Sequence, residues 1–177
     1  MGVLRYGVLS ALICLFTVSA PMDGALAQSA GKLLKQRQAI MKEFSSHTKA
    51  IKKFVKGPSK KLKGKKLKKA TKRLGTTVDM ELRAQALAGQ GTRLAKYFPK
   101  GTGTADGVGR TRSKQAIWSD WAGFQAATAN FVKLAGNLEK AAASADKGQI
   151  GTALAALGKK GCGGCHRNFR AKKKKKK

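Results

Sequence analysis

The sequence predicts an all-α protein, an antiparallel bundle of four helices. Three observations carry that prediction. Apolar residues recur at alternating spacings of three and four in four separate stretches, which is the mark of one buried helical face. No stretch alternates apolar and polar residues as a half-buried strand would, and no internal repeat stands out. The connections are mostly short, which sets successive helices antiparallel and leaves a core suited to a cofactor.

The chain opens with what reads as an export signal over residues 1–27. Arg5 supplies a small positive end, an apolar run extends from Val8 to Ala20, and Ala25-Leu26-Ala27 offers small residues for cleavage. The run is too short to span a bilayer comfortably. Cys14 lies inside it, but Ile13 stands where a lipoprotein signal needs a small side chain. The expected mature chain, about residue 28 to residue 177, is one domain in length. We divide it into a bundle over 28–171, with a lysine-rich linker at 57–75, and a poly-lysine tail at 172–177.

The first helix carries Leu34, Arg37, Met41, Phe44, Thr48, Ile51 and Val55 on one face, and Gly57-Pro58 ends it. Eight lysines, one arginine and no acid follow between Gly57 and Gly75. Charge of one sign at that density disfavours compact packing, so a mobile loop or a frayed helix is expected there. The second helix aligns Met80, Ala84, Leu87, Gly91, Leu94 and Phe98 before Pro99 stops it. A glycine-rich loop, "PKGTGTADGVG", comes next. Ser113 is the expected cap of the third helix, whose face holds Ile117, Trp121, Phe124, Thr128, Phe131, Ala135 and Leu138. Trp118 falls off that face and is expected to cover the bundle end. The fourth helix starts near Lys147 and runs through Ile150, Leu154, Leu157, Cys165 and Phe169.

Without the leader, Cys162 and Cys165 are the only cysteines. One bridge closing so small a loop makes no disulfide framework, although an exported thiol pair can oxidise. The motif Cys162-Gly-Gly-Cys165-His166 points to covalent haem attachment. Its two thiols lie about one helical turn apart, a reach suited to the two vinyl groups of a haem. His166 then projects an imidazole toward the iron, and Gly163 and Gly164 keep bulk away from the macrocycle. Zinc would need four protein ligands, and His47 is the only further strong donor. A thioredoxin-type pair would need a strand before the motif.

Several stretches resemble the cytochrome c′ family, the four-helix class of c-type cytochromes that includes low-spin relatives. "RQAIM" at Arg37–Met41, "YFPKGTG" at Tyr97–Gly103, "TRSKQAIWSDWAGF" at Thr111–Phe124 and "CGGCHRNFRAK" at Cys162–Lys172 carry the resemblance, which spans most of residues 32–172. The lysine-rich insert and tail depart from it. The resemblance implies thioether bonds at Cys162 and Cys165, one haem c, and His166 as the proximal ligand of its iron. It implies Arg37 near a haem propionate and Arg170 close to His166 on the proximal side, although Arg170 also suits the carboxyl end of a helix. Homodimers are common in the family.

Met41 decides the chemistry. A methionine ligand gives a six-coordinate iron suited to electron transfer and raises its potential. A methionine that only fills core space leaves an open site for small gases. "RQAIMKEF" looks more like the ligating subgroup. His47 is six residues on, off that face, and is expected to be exposed and unrelated to the haem.

The net charge of +30 at pH 7 survives loss of the leader, because Arg5 and Asp23 cancel. Such a chain attracts anionic partners. Steering toward acidic redox proteins comes first, then adsorption to an anionic membrane surface. Export and the lack of aromatics among the lysines argue against nucleic acid. The expectation is therefore a periplasmic monohaem c-type cytochrome, a one-electron carrier with iron held by His166 and Met41, and no catalytic acid, base or nucleophile. The alternative is a five-coordinate cytochrome c′-like protein that binds nitric oxide or carbon monoxide. A polybasic binding module with an incidental Cys-x-x-Cys-His motif is a third class.

Overall fold

Helical periodicity becomes four packed rods in the structure, a computed structural model that describes residues 22–173. Residues 1–21 of the expected export signal lie outside the described residues, as do residues 174–177 of the tail. Helix α1, Met22–Lys56, has 35 residues and extends about 52 Å at 1.5 Å per residue. It ends as the sequence indicates. Gly57 adopts φ +72°, and its N–H returns to the carbonyl of Lys53 at 3.0 Å.

The lysine-rich stretch contains a helix, α2, over Gly64–Leu74, none of whose residues is buried. Its sidedness explains this. Leu67, Ala70 and Leu74 share one face, and Leu74 packs against the core. Helix α3, Thr77–Arg93, starts in a capping box between Thr76 and Asp79 and runs into a 3-10 turn at Leu94–Tyr97. Its six predicted core positions, Met80, Ala84, Leu87, Gly91, Leu94 and Phe98, are all buried.

The third rod departs from expectation at its start. Ser113 does not cap it; Ser113 forms an isolated antiparallel bridge with Arg170. A short helix α4, Ala116–Ser119, precedes a break at Asp120, whose carboxylate accepts from the Gly123 N–H at 3.0 Å and so caps α5, Trp121–Ala143. Trp118, on α4, donates its indole N–H to the Pro99 carbonyl at 2.8 Å and covers the bundle end. The fourth rod is composite. Helix α6, Lys147–Ala156, is capped by Asp146. It passes through a wide π turn at Leu157–Cys162 into α7, Gly163–Phe169.

Rods α1, α3, α5 and α6–α7 neighbour one another in a ring. Pairs across the seams run in opposite directions, as in Glu43 with Gln90 and His47 with Arg83 between α1 and α3. The bundle is therefore antiparallel, and among the described residues there is no strand. Ile51, Met80, Leu87, Leu138, Ile150 and Leu157 are fully buried, each worth about 1.5–3 kcal/mol against exposure. Gly91 lets α3 and α5 approach closely, since a Cβ there would meet Val132 Cγ2 at 2.9 Å. His47 is half-buried rather than exposed, because α3 brings Arg83 Nη1 to 3.5 Å from its Nδ1.

Candidate haem site at one end of the bundle

The motif begins inside the π turn. The Gly163 N–H bonds to the Gly158 carbonyl, five residues back, so the helix widens just before Cys162 and then tightens again. Glycine eases this turn, for a Cβ on Gly163 would crowd that carbonyl oxygen at 3.2 Å. Single π turns inside helices concentrate at functional sites. Gly161 is buried; a Cβ there would crowd Leu157 Cδ1 at 3.1 Å, with Phe131 and Leu134 of α5 in ordinary contact at 3.5 Å.

Cys162 and Cys165 are both free, half-buried and packed against the core cluster. Burial raises the Cys162 thiol, and burial followed by the nearby Cys162 pushes Cys165 up to about 11. These are neutral thiols, unlike the exposed, acidified cysteines of redox pairs. His166 is half-buried. Its pKa is lowered first by burial, then by the charges of Arg170 and Arg112. A neutral imidazole is the form that ligates a metal. Zinc fits poorly. Among the described residues no group of three or more His, Cys, Asp or Glu is placed to hold a metal ion, and His47 is engaged with Arg83.

The end of α7 is clasped by the segment before α4. Lys114 N–H donates to the Phe169 carbonyl at 3.0 Å, and Ala171 N–H donates to the Arg112 carbonyl at 2.8 Å. The Arg112 Nε–H adds a bond to the Ala171 carbonyl at 2.9 Å. Arg170 follows His166 by one turn, with its N–H on the His166 carbonyl at 3.1 Å. Sequence reasoning placed Arg170 here and missed Arg112, whose position depends on pairing 59 residues apart.

Opposite the motif stands the first half of α1. Phe44 stacks on Phe131 at 4.9 Å between ring centroids, at the level of Gly161. Met41, one turn earlier, is half-buried and packs against the bundle core. Arg37, one further turn back, is 3% exposed. It donates to the carbonyls of Tyr97 and Thr102 and to Thr102 Oγ1. From Phe98 beneath Arg37, edge-on contacts lead through Phe124 to Phe169 at 5.0 and 5.4 Å. Arg37, Met41 and the motif thus share one end of the bundle.

Comparison with known proteins decides the family. The family model described as Cytochrome C' matches residues 32–170. The chain belongs to the cytochrome c′ family. A cytochrome c′ of Pararhodospirillum photometricum is 31% identical over 137 residues, covering 77% of this chain and 94% of that protein. Among solved structures, a nitric oxide complex of a variant cytochrome c prime from Alcaligenes xylosoxidans superposes with a TM-score of 0.63 at 21% identity, covering 81% of this chain and 97% of that one. A cytochrome c′ described by its ligand-controlled dimer dissociation, 20% identical, reaches 0.63 over 81% and 97%.

As a cytochrome c′, the protein carries one covalently attached c-type haem with its iron. The residues present fit that group: two neutral, unpaired thiols about one turn apart, a neutral imidazole beside them, and a glycine-lined approach.

Proposed function

We propose that this protein is a five-coordinate cytochrome c′ that binds a small neutral gas, nitric oxide or carbon monoxide. The match to cytochromes c′ over residues 32–170 carries the reading, together with a nitric oxide complex among the solved relatives. Cys162 and Cys165 would hold the haem through thioethers, and His166 would supply the imidazole for its iron. When bound, the haem would supply an iron able to change oxidation state and to take a small gas as ligand. Met41, flexible and polarisable, would face the bound group without ligating it and would keep its surroundings apolar. Ile40 and Phe44, its neighbours on α1, pack on the same apolar core. A neutral diatomic needs no charged partner, which suits so apolar a wall.

Arg37 faces the haem propionates in this reading. Of the five N–H donors on a guanidinium, three are engaged by Tyr97 and Thr102, leaving two for a carboxylate. Arg170 stands one turn beyond His166, where its charge adds to burial, the larger cause, in lowering the imidazole's pKa. The role is binding rather than catalysis. The protein acts after export, in the periplasm, and a homodimer is its assembly by likeness to the relative with ligand-controlled dimer dissociation.

A second reading keeps Met41 as sixth ligand and makes the protein a one-electron carrier for partners with acidic surfaces. Its support is that Met41 is half-buried one turn from Arg37, at the end of the bundle that holds the motif, and that a thioether is a known haem ligand. Optical and electron paramagnetic resonance spectra of the oxidised holoprotein separate the two. We expect a high-spin ferric spectrum and, after reduction, a shift on adding carbon monoxide. A low-spin spectrum with a methionine–iron charge-transfer band, unmoved by carbon monoxide, would establish the carrier.

A further inference from the structure

The family likeness leaves one feature unused, the basic helix in the middle of the chain. Turning by 3.6 residues per turn, α2 sorts its side chains completely. Lys65, Lys66, Lys68, Lys69, Lys72 and Arg73 occupy one face; Leu67, Ala70 and Leu74 occupy the other. Leu74 packs on the bundle core, and α2 touches α1 alone, so the basic face turns outward. All six basic residues are exposed. Lys52, Lys53 and Lys56 extend the charge along the exposed end of α1. No acidic residue occurs between Gly57 and Gly75. Asp79, the next acid, is held by Thr76 in the capping box.

We propose that α2 is a docking face for an anionic lipid bilayer, and that it holds the protein with its haem end directed away. The chemistry selects this partner. Lysines are point charges that meet many headgroups equally well, whereas carboxylate recognition by a protein favours the arginine fork. Only Arg73 offers that fork, and the aromatic anchors of a protein hot spot are missing from the face. Missing aromatics also remove the stacking that single-stranded nucleic acid uses.

The orientation follows from the fold. Val55 lies against Gly151, and Lys147 Nζ sits 4.8 Å from the Phe54 ring, so α2 emerges beside the start of α6. From there the fourth rod advances about 20 Å before reaching Cys162. Docking through α2 therefore leaves the haem end free for ligands and partners.

The test uses full-chain holoprotein and flotation with vesicles of phosphatidylcholine containing about a third phosphatidylglycerol, against pure phosphatidylcholine. Each basic residue near such a surface contributes about fivefold in partitioning at low salt. Changing Lys65, Lys66, Lys68, Lys69, Lys72 and Arg73 to glutamine should lower binding by about tenfold or more. Deleting residues 172–177, also six lysines, should lower it by clearly less than the glutamine variant does, because α2 and not the tail is the docking face. Replacing the five lysines by arginine should retain it, with circular dichroism and the haem spectrum confirming that each variant is folded. Amide exchange on vesicles should slow in α2 and the last turn of α1, with α7 unchanged. Equal losses in the glutamine and tail variants, equal binding to neutral vesicles, tighter binding to duplex DNA or an acidic protein, or protection centred on α7 would each overturn the assignment.

Discussion

The Arg37 guanidinium carbon lies 4.4 Å from the centre of the Phe98 ring, with Trp118 at 5.7 Å. One buried cation thus joins α1 to the turn after α3 and to the cover of the bundle end. Its bonds hold the carbonyls of Tyr97 and Thr102, which no other described side chain satisfies. Replacing Arg37 by methionine removes the charge and leaves buried acceptors unpaired. Arg37→Met should cost about 3 kcal/mol in guanidinium unfolding of the holoprotein. Arg37→Lys should recover less than half of that, because an ammonium cannot reproduce the fork.

Two glycines on α3 should respond in opposite directions to the same substitution. At Gly91 a new Cβ would meet Val132 Cγ2 at 2.9 Å and Phe131 at 3.0 Å, across the α3–α5 seam. Gly91→Ala should therefore destabilise by about 1–3 kcal/mol through overpacking. At Gly89, exposed and with nothing within 4 Å, alanine only restricts the unfolded chain and favours helix. Gly89→Ala should stabilise by about 0.5–1 kcal/mol. Paired denaturation curves check both signs together.

These residues also mark what was legible in advance. The α3 stripe from Met80 to Phe98 was readable because each position obeys one helical period, and the haem motif because its spacing is local. Phe54 escaped that reading, being one position before Val55 on the selected stripe, yet it is buried. The break at Asp120 had a signal, an acid three residues before Gly123, but the continuous apolar rhythm hid it. The π turn had only Gly158, Gly161 and Gly163 to announce it, and glycine alone does not specify a register. The clasp by Arg112 was beyond reach, since it joins segments distant in sequence. Helix α2 was legible only as one of two options, a loop or a frayed helix, because its charge hid that Leu67 and Leu74 lie two turns apart on one face.

Met41 controls access to the open side of the iron in the proposed function. Shortening it should relieve crowding against an incoming ligand without altering spin state. Met41→Ala should keep the high-spin ferric spectrum and raise carbon monoxide affinity by about tenfold, equivalent to about 1.4 kcal/mol. Met41→Leu, similar in volume, should change affinity by about threefold or less. Stopped-flow and equilibrium titration of the reduced protein measure both. A change from low-spin to high-spin in the alanine variant would return Met41 to the iron as a ligand.

His47 gives the fold a dependence on pH that is separate from the haem. Burial lowers its pKa below 6.5, the Arg83 charge lowers it further, and Glu43 opposes both. In the folded protein this imidazole therefore resists a proton that the unfolded chain accepts. As pH falls below about 6.5 the unfolded state binds more protons, so stability declines. The contribution is complete above that pH, shrinks on the way down to the lowered folded value, and then levels off. Unfolding free energy followed by denaturant from neutral to mildly acidic pH should show this slope. His47→Gln should flatten it while leaving the neutral-pH plateau within about 1 kcal/mol. Arg83→Gln should reduce the slope, because removing the neighbouring cation lets folded His47 take its proton more readily. An unchanged slope in the His47 variant would remove His47 as its origin; the carboxylate caps at Asp79 and Asp146, whose pKa values are lowered by accepting from backbone N–H groups, are a second source of acid sensitivity. Those caps act at lower pH, where carboxylates titrate, so the position of the slope separates the two origins.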